Sequence, residues 1–392
     1  MTGNRPPGSD PLDAYRHRRV GPVDLLLGDA RQVVAAMPDA SVDAIVTSPP
    51  FWSLRDYGTG RWAGGAPACP HPVPAGQRVD GRACPACGAM WADPQYGLEP
   101  TVEQYVQRLL DVFDQARRVL TPTGTCWLNL GDSYSGGGKL AYDTAGRMPV
   151  TRSLPGSRAG SPLPAKNLIG VPWRVAFALQ STGHWLLRNA VIWSKTNPMP
   201  ESVRDRMSTT YELLFLLTTS SQYYFDLDPI RVPLARPDAA DGTRIFGGAR
   251  KGATGGVGST ARRRGAAYGG KYTADDVAVE PGAGRGNLIP LGHAHTAAHP
   301  RGRNPGDVWR IATRPYRGSH VAPFPIDIPL RAIAAGCPPG GVVLDPFSGA
   351  GTTGLAALQL GRSYIGVDIA AEFHDEALTR MRPHLPADPG DG

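Results

Sequence analysis

The sequence predicts an α/β fold in which helices cover both faces of a mostly parallel sheet. Short runs of consecutive apolar residues, such as segments 43–48 and 341–345, suit strands that are buried on both faces. Helical patterns lie between these runs, and this alternation is typical of doubly wound sheets. Because 41% of the 392 residues are apolar, the chain can also fill a large core.

The individual elements follow from local patterns. The clearest helix is predicted for Thr101–Leu120, because Thr101 and Gln104 have the spacing of a capping box and apolar residues then recur at helical intervals. A second helix is expected after Gly351, ending at Gly361. Seven segments have the pattern of strands: Val23–Leu27, Val42–Ser48, Thr125–Leu130, Leu186–Ser194, Tyr211–Thr218, Val342–Phe347 and Ser363–Ile369.

Three segments do not fit this sheet and define the predicted organisation. Residues 1–20 have the composition of a disordered tail, 53–97 form a Gly/Pro-rich insertion, and 233–305 form a basic linker or recognition region. The remainder is predicted to be one domain in two halves, 21–232 and 306–382, with a tail at 383–392.

The charge of the chain favours contact with a polyanion. The formal net charge is +7, although a merely basic surface would give the same value. Between positions 244 and 264 there is no acidic residue, and the stretch is rich in Gly, so it can lie along a phosphate backbone. Its six basic residues are the candidate DNA contacts: Arg244, Arg250, Lys251, Arg262, Arg263 and Arg264.

Several classes of protein are disfavoured by composition. No stretch of 18 apolar residues is present, the first twenty residues lack the apolar run of a signal peptide, and five cysteines do not suggest a disulfide framework. We therefore expect a soluble, cytoplasmic protein that does not bind a membrane.

The segment from Asp345 to Thr353 predicts a nucleoside pocket. It connects an apolar strand to a helix, and glycines at 349 and 351 let the backbone turn tightly beside a ligand. A second strand ends about twenty residues later at Asp368, a spacing that suits the two hydroxyls of a ribose. Because the Lys of a P-loop and a third glycine are absent, S-adenosylmethionine fits better than a pyrophosphate ligand.

A second strand end carries the tetrad Ser48, Pro49, Pro50 and Phe51. The prolines fix the backbone, so that the Ser48 hydroxyl and the Pro49 carbonyl become rigid acceptors beside the flat Phe51 ring. This arrangement suits a planar base with an exocyclic amino group: the ring stacks, and the amino hydrogens are accepted. A proline-rich turn that merely ends a core strand is the alternative.

These motifs resemble the β class of DNA amino-methyltransferases, which use S-adenosylmethionine. In that family the Ser/Asp/Asn-Pro-Pro-aromatic tetrad precedes a target-recognition region, and the Phe-x-Gly-x-Gly cofactor loop comes last, as Phe347–Gly351 does here. The resemblance implies a Rossmann-like seven-stranded sheet in circularly changed order, with the catalytic strand before the cofactor strand and the two strands adjacent. It covers roughly residues 23–52, 98–230 and 305–375.

The resemblance also assigns roles by position. It places Asp345, Phe347, Gly349, Gly351 and Thr352 around the cofactor. Asp368 would hold the ribose and Asp29 would lie near the adenine amino group, while Phe324 and Pro325 would form the outer wall of the pocket. The target base would leave the duplex to reach the tetrad.

The insertion contains Cys69, His71, Cys84 and Cys87, in the order of two ligand pairs. Such pairs, with a glycine after the last cysteine, predict a structural zinc knuckle, although the first pair is one residue shorter than usual. Reduced thiols in a loop, or a redox pair, are the alternatives.

Together these features predict a site-specific DNA methyltransferase that acts on an exocyclic amino group of double-stranded DNA. Ser in the first tetrad position favours cytosine N4, with adenine N6 as the alternative within the family. A non-catalytic nucleic-acid-binding protein with a zinc knuckle is the alternative from another class. The resemblance further suggests a cognate restriction endonuclease as partner.

Overall fold

The computed structural model describes residues 10–71, 83–136, 163–234, 299, 301–316, 318 and 323–385. The chain divides into two units, one formed by Met1–Pro229 with Gly306–Gly392 and the other by Ile230–Pro305. In the second unit the described residues include an antiparallel bridge between Val232 and Arg303. The first unit contains the sheet and is described below.

The described residues contain eleven strands and six α-helices. The strands are β1 (Arg16–Val20), β2 (Val23–Leu27), β3 (Val42–Thr47), β4 (Arg61–Ala63), β5 (Met90–Ala92), β6 (Leu120–Leu130), β7 (Leu186–Lys195), β8 (Tyr211–Thr218), β9 (Val308–Ile311), β10 (Val342–Asp345) and β11 (Ser363–Asp368). The helices are α1 (Ala30–Ala36), α2 (Val102–Val119), α3 (Val171–Ser181), α4 (Asp327–Gly336), α5 (Thr352–Gln359) and α6 (Ala371–Met381). Within the described ranges, no helix is both long enough and apolar enough to span a membrane.

One mixed sheet dominates the fold, with the strand order β1-β2-β11-β10-β3-β6-β8-β7-β9 in the described part of the chain. Five neighbouring strands of this sheet are parallel to one another, in the spatial order β2, β11, β10, β3 and β6, which explains their continuous apolar runs. Strand β8 is antiparallel to both β6 and β7, and β9 is parallel to β7. The predicted α/β class is confirmed, and the antiparallel part makes the sheet mixed.

The strand order places the two motif-bearing strands side by side. Strand β10 pairs in parallel with β3, with Leu344 opposite Ile45, so both motifs follow strand ends at the same edge. From β3 the chain continues through α2 to β6 on one side, and from β10 through α5 to β11 on the other. This is a topological switch point, where open α/β sheets bind their ligands. The predicted adjacency of these strands is confirmed.

Two strands of this sheet, β1 and β9, were missed, so it has nine strands in the described residues rather than seven; the short strands β4 and β5 of the insertion were missed as well. The prediction of a disordered tail at 1–20 is wrong for residues 10–20, where β1 pairs antiparallel with β2 and Leu12 is buried. The residues of β1 are mainly Arg and His, so no apolar pattern marks the strand; backbone pairing and an ion pair between Arg16 and Asp24 hold it. Strand β9 has only four residues, too few to show an alternation.

Helix α2 has the cap that its sequence predicts. The Thr101 hydroxyl accepts a hydrogen bond from the Gln104 amide (3.2 Å), and the Gln104 side chain accepts one from the Thr101 amide (3.2 Å). The helix buries a face of large side chains, including Tyr105, Leu109 and Phe113. The cap therefore fixes the start of the helix that packs against α1, α3 and β6.

We expect Thr101→Ala to lower the free energy of unfolding by about 1 kcal/mol, because the Gln104 amide loses its acceptor. Thr101→Ser is the matched control, since it keeps the hydroxyl and should remain close to the wild type. Urea unfolding followed by circular dichroism measures both. Equal stability of the alanine and serine variants would contradict a role for the cap.

Candidate active site

A buried carboxylate joins the two motif-bearing strands. Asp345, at the end of β10, is 2% exposed and accepts hydrogen bonds from the Thr47 hydroxyl (2.6 Å) and the Thr353 hydroxyl (2.7 Å). The Phe347 amide donates to the same carboxylate (3.1 Å). Burial raises the pKa of Asp345 to about 6, against the opposing effect of these donors. Both carboxylate oxygens are thus bound within the protein, beneath the loop that follows.

The glycine loop has the conformation that its sequence predicts. Gly349 and Gly351 have φ values of +48° and +67°, which favour glycine. A Cβ atom on Gly351 would lie 2.6 Å from the Ala377 Cβ, so α6 also requires glycine there. Helix α5 begins directly after the loop, and its first residue, Thr352, accepts a hydrogen bond from Arg380 (3.0 Å). The amino end of α5 thus faces the loop.

The end of β11 is tied to this loop. Asp368 accepts hydrogen bonds from the Gly349 amide (2.8 Å) and the Ala370 amide (3.0 Å). Burial raises the pKa of Asp368 to about 6, while the two amides favour its ionised form. The Gly28 amide donates to the Asp368 carbonyl (2.8 Å), which places the end of β2 beside the same loop.

Asp29 and Phe347 are joined through one tyrosine of the insertion. Asp29 caps α1 by accepting from the Gln32 amide (3.1 Å), and its second oxygen accepts from the Tyr96 hydroxyl (3.3 Å). The Tyr96 ring makes an edge-to-face contact with Phe347, with ring centroids 5.1 Å apart. The structure therefore brings Asp29, Phe347, Gly349 and Asp368 together around three strand ends.

The predicted outer wall lies just before α4. Phe324 is half-buried and Pro325 is buried, and the Pro325 carbonyl accepts from the Ile328 amide (3.0 Å) in the first turn of that helix. Their contact with a cofactor stays a prediction.

The tetrad is held by residues of three neighbouring elements. The Ser48 hydroxyl donates to Asn129 Oδ1 (3.0 Å), and Asn129 Nδ2 in turn donates to the Leu213 carbonyl (3.1 Å). The Tyr105 hydroxyl donates to the Pro50 carbonyl (2.9 Å). The Phe51 ring lies against Gly131, where an added Cβ would come within 2.5 Å of the ring. Strand β6 and helix α2 thus fix both the acceptor and the flat ring.

Asn129 is a site residue that sequence reasoning missed. The hydrogen bond to the Leu213 carbonyl orients the Asn129 amide, so its oxygen faces Ser48 and accepts a hydrogen bond from the hydroxyl. The Ser48 oxygen then keeps its lone pairs for an incoming N–H donor. The available signal was a polar residue inside the apolar run of β6, where a buried amide requires a specific partner.

The four predicted metal ligands converge in space. One ligand atom from each of Cys69, His71, Cys84 and Cys87 lies within 4.8 Å of the others. The Sγ atoms of Cys69 and Cys84 are 3.9 Å apart, and His71 Nε2 is 3.1 Å from Cys87 Sγ. Thiolates on a tetrahedral zinc ion, with Zn–S bonds of about 2.3 Å, would be roughly 3.8 Å apart. The donor set and its spacing therefore fit zinc.

The thiols of this cluster differ in acidity. The backbone hydrogen bond at Ala89 lowers the pKa of Cys87 to about 6, which favours the thiolate that binds metals. Desolvation raises the pKa of Cys69 to about 11. Strands β4 and β5 pair antiparallel beside the cluster and carry Trp62, whose ring stacks on His71 with centroids 5.3 Å apart.

The predicted DNA contacts cannot be placed on the structure. Arg244, Arg250, Lys251, Arg262, Arg263 and Arg264 all lie outside the described residues.

Comparison with known proteins identifies the family. A family model described as DNA methylase, of the N6/N4 class, matches residues 42–379. The chain is 32% identical over 381 residues to the type II methyltransferase M.Cfr9I of Citrobacter freundii, covering 95% of this chain and 94% of that protein. It is 33% identical over 361 residues to the type II methyltransferase M.SmaI of Serratia marcescens, covering 91% and 90% of the two chains.

The fold has a match among solved structures. The PvuII DNA methyltransferase, described as cytosine-N4-specific, aligns with a TM-score of 0.52 and 14% identity over 95% of this chain and 91% of its own. This likeness shows a shared fold. With the family match over most of the chain, it establishes that the protein belongs to the N6/N4 DNA methylase family of S-adenosylmethionine-dependent amino-methyltransferases.

Proposed function

We propose that the protein methylates the exocyclic amino group of a flipped base in double-stranded DNA, with cytosine N4 as the acceptor. The observation that carries this proposal is the pairing of β3 with β10, which sets the Ser48–Phe51 tetrad beside the glycine loop. An amino acceptor and a methyl donor held at adjacent strand ends need mainly orientation to react.

The residues at the loop fit the cofactor. Bound S-adenosylmethionine supplies an activated methyl group. Asp368 is oriented by two amides and is suited to accept from ribose hydroxyls, and Asp29 is suited to accept from the adenine amino group. Gly349 and Gly351 keep side chains out of the turn between them. The role of Asp345 is to hold this loop against β3 rather than to face the ligand.

The tetrad favours an amino group as nucleophile. The lone pair of a nucleobase amino nitrogen is delocalised into the ring, so acceptors for its hydrogens are needed to free it. Ser48 can act as one acceptor because its hydroxyl hydrogen is donated to Asn129, and the Pro49 carbonyl supplies the second acceptor. Phe51, fixed over Gly131, offers a face for stacking the flipped base.

Cytosine N4 is favoured over adenine N6 by the short side chain of Ser48. A shorter acceptor brings the ring closer to the strand end, which a pyrimidine allows more readily than a purine. Adenine presents the same donor and acceptor pair and remains the second candidate. The PvuII DNA methyltransferase, described as cytosine-N4-specific, shares the fold.

Zinc is proposed as a second bound group. Cys69, His71, Cys84 and Cys87 form a complete tetrahedral donor set, of the kind that closes structural zinc sites. The metal would replace the apolar core that a short insertion cannot build.

The basic stretch is proposed to contact phosphate rather than bases. Arg262, Arg263 and Arg264 would then add affinity that depends on salt but not on sequence. Because the similar proteins are type II methyltransferases, we also propose that a cognate endonuclease accompanies this protein and that it acts in the cytoplasm.

We expect Gly349→Val to abolish S-adenosylmethionine binding, because a branched side chain at φ +48° strains the loop and fills the turn. Gly361→Val is the matched control: Gly361 has φ +69°, but it lies at the other end of α5, where an added Cβ meets no atom within 4 Å. Calorimetry measures the affinity of both. Wild-type affinity in the Gly349 variant would remove the loop from the cofactor site.

Methylated DNA from an expressing host should contain N4-methylcytosine. Hydrolysis to nucleosides and mass spectrometry separate this product from N6-methyladenine, and host DNA without the gene is the control. A dominant N6-methyladenine signal would show that Ser48 does not select cytosine. Absence of both products, when the protein is expressed in soluble form and binds S-adenosylmethionine, would contradict the proposed reaction.

A further inference from the structure

The insertion between the tetrad and α2 is closed along its length by paired contacts. At its base, the Ser53 amide donates to the Gly97 carbonyl (2.8 Å). Further along, the buried side chain of Gln95 accepts from the Tyr57 amide and donates to the Arg55 carbonyl, each at 2.7 Å. Each contact joins the outgoing segment of the insertion (residues 53–63) to its returning segment (residues 90–97).

The pairing continues as far as the metal cluster. The Thr59 hydroxyl donates to Asp93 (2.6 Å), and the β4–β5 ladder follows directly. Trp62 of β4 contacts Trp91 of β5 edge to face at 5.4 Å and stacks on His71. Among the described residues, the cluster therefore lies at the opposite end of this hairpin from the tetrad.

Tyr57, in the outgoing segment, lies on the side of the site where Asp368 is expected to hold the ribose. Its ring makes an edge-to-face contact with Phe373, with centroids 6.3 Å apart. Phe373 lies in the first turn of α6, five residues after Asp368. Desolvation raises the pKa of Tyr57, while the Arg55 guanidinium lowers it and the charge of Asp368 adds a smaller increase.

Tyr96, in the returning segment, lies on the side of the site where Asp29 is expected to hold the adenine. It donates to Asp29 and packs on Phe347, as described above. The Arg108 guanidinium lies 4.0 Å from the centroid of its ring and also donates to the buried Glu99 (2.8 Å). Tyr96 is thus fixed in place between the base of the hairpin and the residues expected to hold adenine.

We propose that Tyr57 and Tyr96 form a wall of the S-adenosylmethionine site, and that the Cys₃His metal cluster holds this wall, so that metal and cofactor binding are coupled. This inference rests on the proposed function. It extends that function by giving the insertion a role in cofactor binding.

The coupling has a thermodynamic consequence. If the metal orders the hairpin that carries both tyrosines, bound metal raises the affinity for S-adenosylmethionine by some factor. Reciprocity requires that bound S-adenosylmethionine raise the affinity for zinc by the same factor. The second effect is measured as the change in zinc affinity when S-adenosylmethionine is added to the full chain.

The first experiment measures zinc affinity of the full chain with a chromophoric chelator as competitor. We expect about one zinc per chain and a roughly tenfold tighter zinc affinity with saturating S-adenosylmethionine. The absorbance of the chelator reports metal binding independently of activity. A protein that binds S-adenosylmethionine but binds no zinc, or binds zinc equally with and without the cofactor, would overturn the coupling.

The second experiment tests the wall itself. Tyr57→Ala and Tyr96→Ala should each keep their zinc and weaken S-adenosylmethionine binding by about tenfold, the scale of a lost aromatic contact. Tyr223→Ala is the matched control, since that half-buried tyrosine contacts Arg188 and Phe225 instead. Tyr57→Phe should rescue most of the affinity if the ring forms the contact.

The outcomes separate this inference from the proposed function. If wild-type protein does not bind S-adenosylmethionine, the proposed function fails. If the wild type binds it and both alanine variants bind it equally well, only the wall is contradicted.

Discussion

The buried carboxylate of Asp345 is the interaction on which the active site depends. It joins the hydroxyl of Thr47 at the end of β3 to that of Thr353 in α5, although Thr47 and Asp345 are 298 positions apart in the chain. A buried carboxylate is costly without such donors, and its pKa of about 6 reflects that cost. The Asp345 carboxylate can be buried because these donors satisfy it. The same hydrogen bonds fix the distance between the tetrad and the cofactor loop.

The rest of the site is built outward from this junction. Beyond β10, Asp368 accepts a hydrogen bond from the Gly349 amide, which ties the proposed ribose acceptor to the turn. Beyond β3, Asn129 orients Ser48 and Gly131 leaves space for Phe51. Rigid placement of both halves suits a reaction whose barrier is lowered mainly by orientation and by acceptors for the amino hydrogens.

The sequence predicted the parts of the site that local patterns encode. The glycines at 349 and 351, the acid at 368 and the tetrad are all adjacent to apolar strands, so their place at strand ends could be inferred. The four candidate zinc ligands were predicted from their spacing, and the structure brings their ligand atoms together. The parts that were missed depend on distant contacts: Asn129 matters only because β8 places the Leu213 carbonyl beside it, and β1 is a strand only because β2 pairs with it. The same holds for Tyr57 and Tyr96, whose positions depend on the return of the insertion to its own base.

The most direct test of this account separates cofactor binding from methyl transfer in Ser48→Ala. The account predicts S-adenosylmethionine affinity within about twofold of the wild type, since the loop is untouched, and a turnover lower by roughly 100-fold, the scale of one lost transition-state contact. Calorimetry and a radiolabel transfer assay on the same preparation give both values. Turnover equal to the wild type, with affinity unchanged, would contradict the claim that the tetrad accepts the hydrogens of the target amino group.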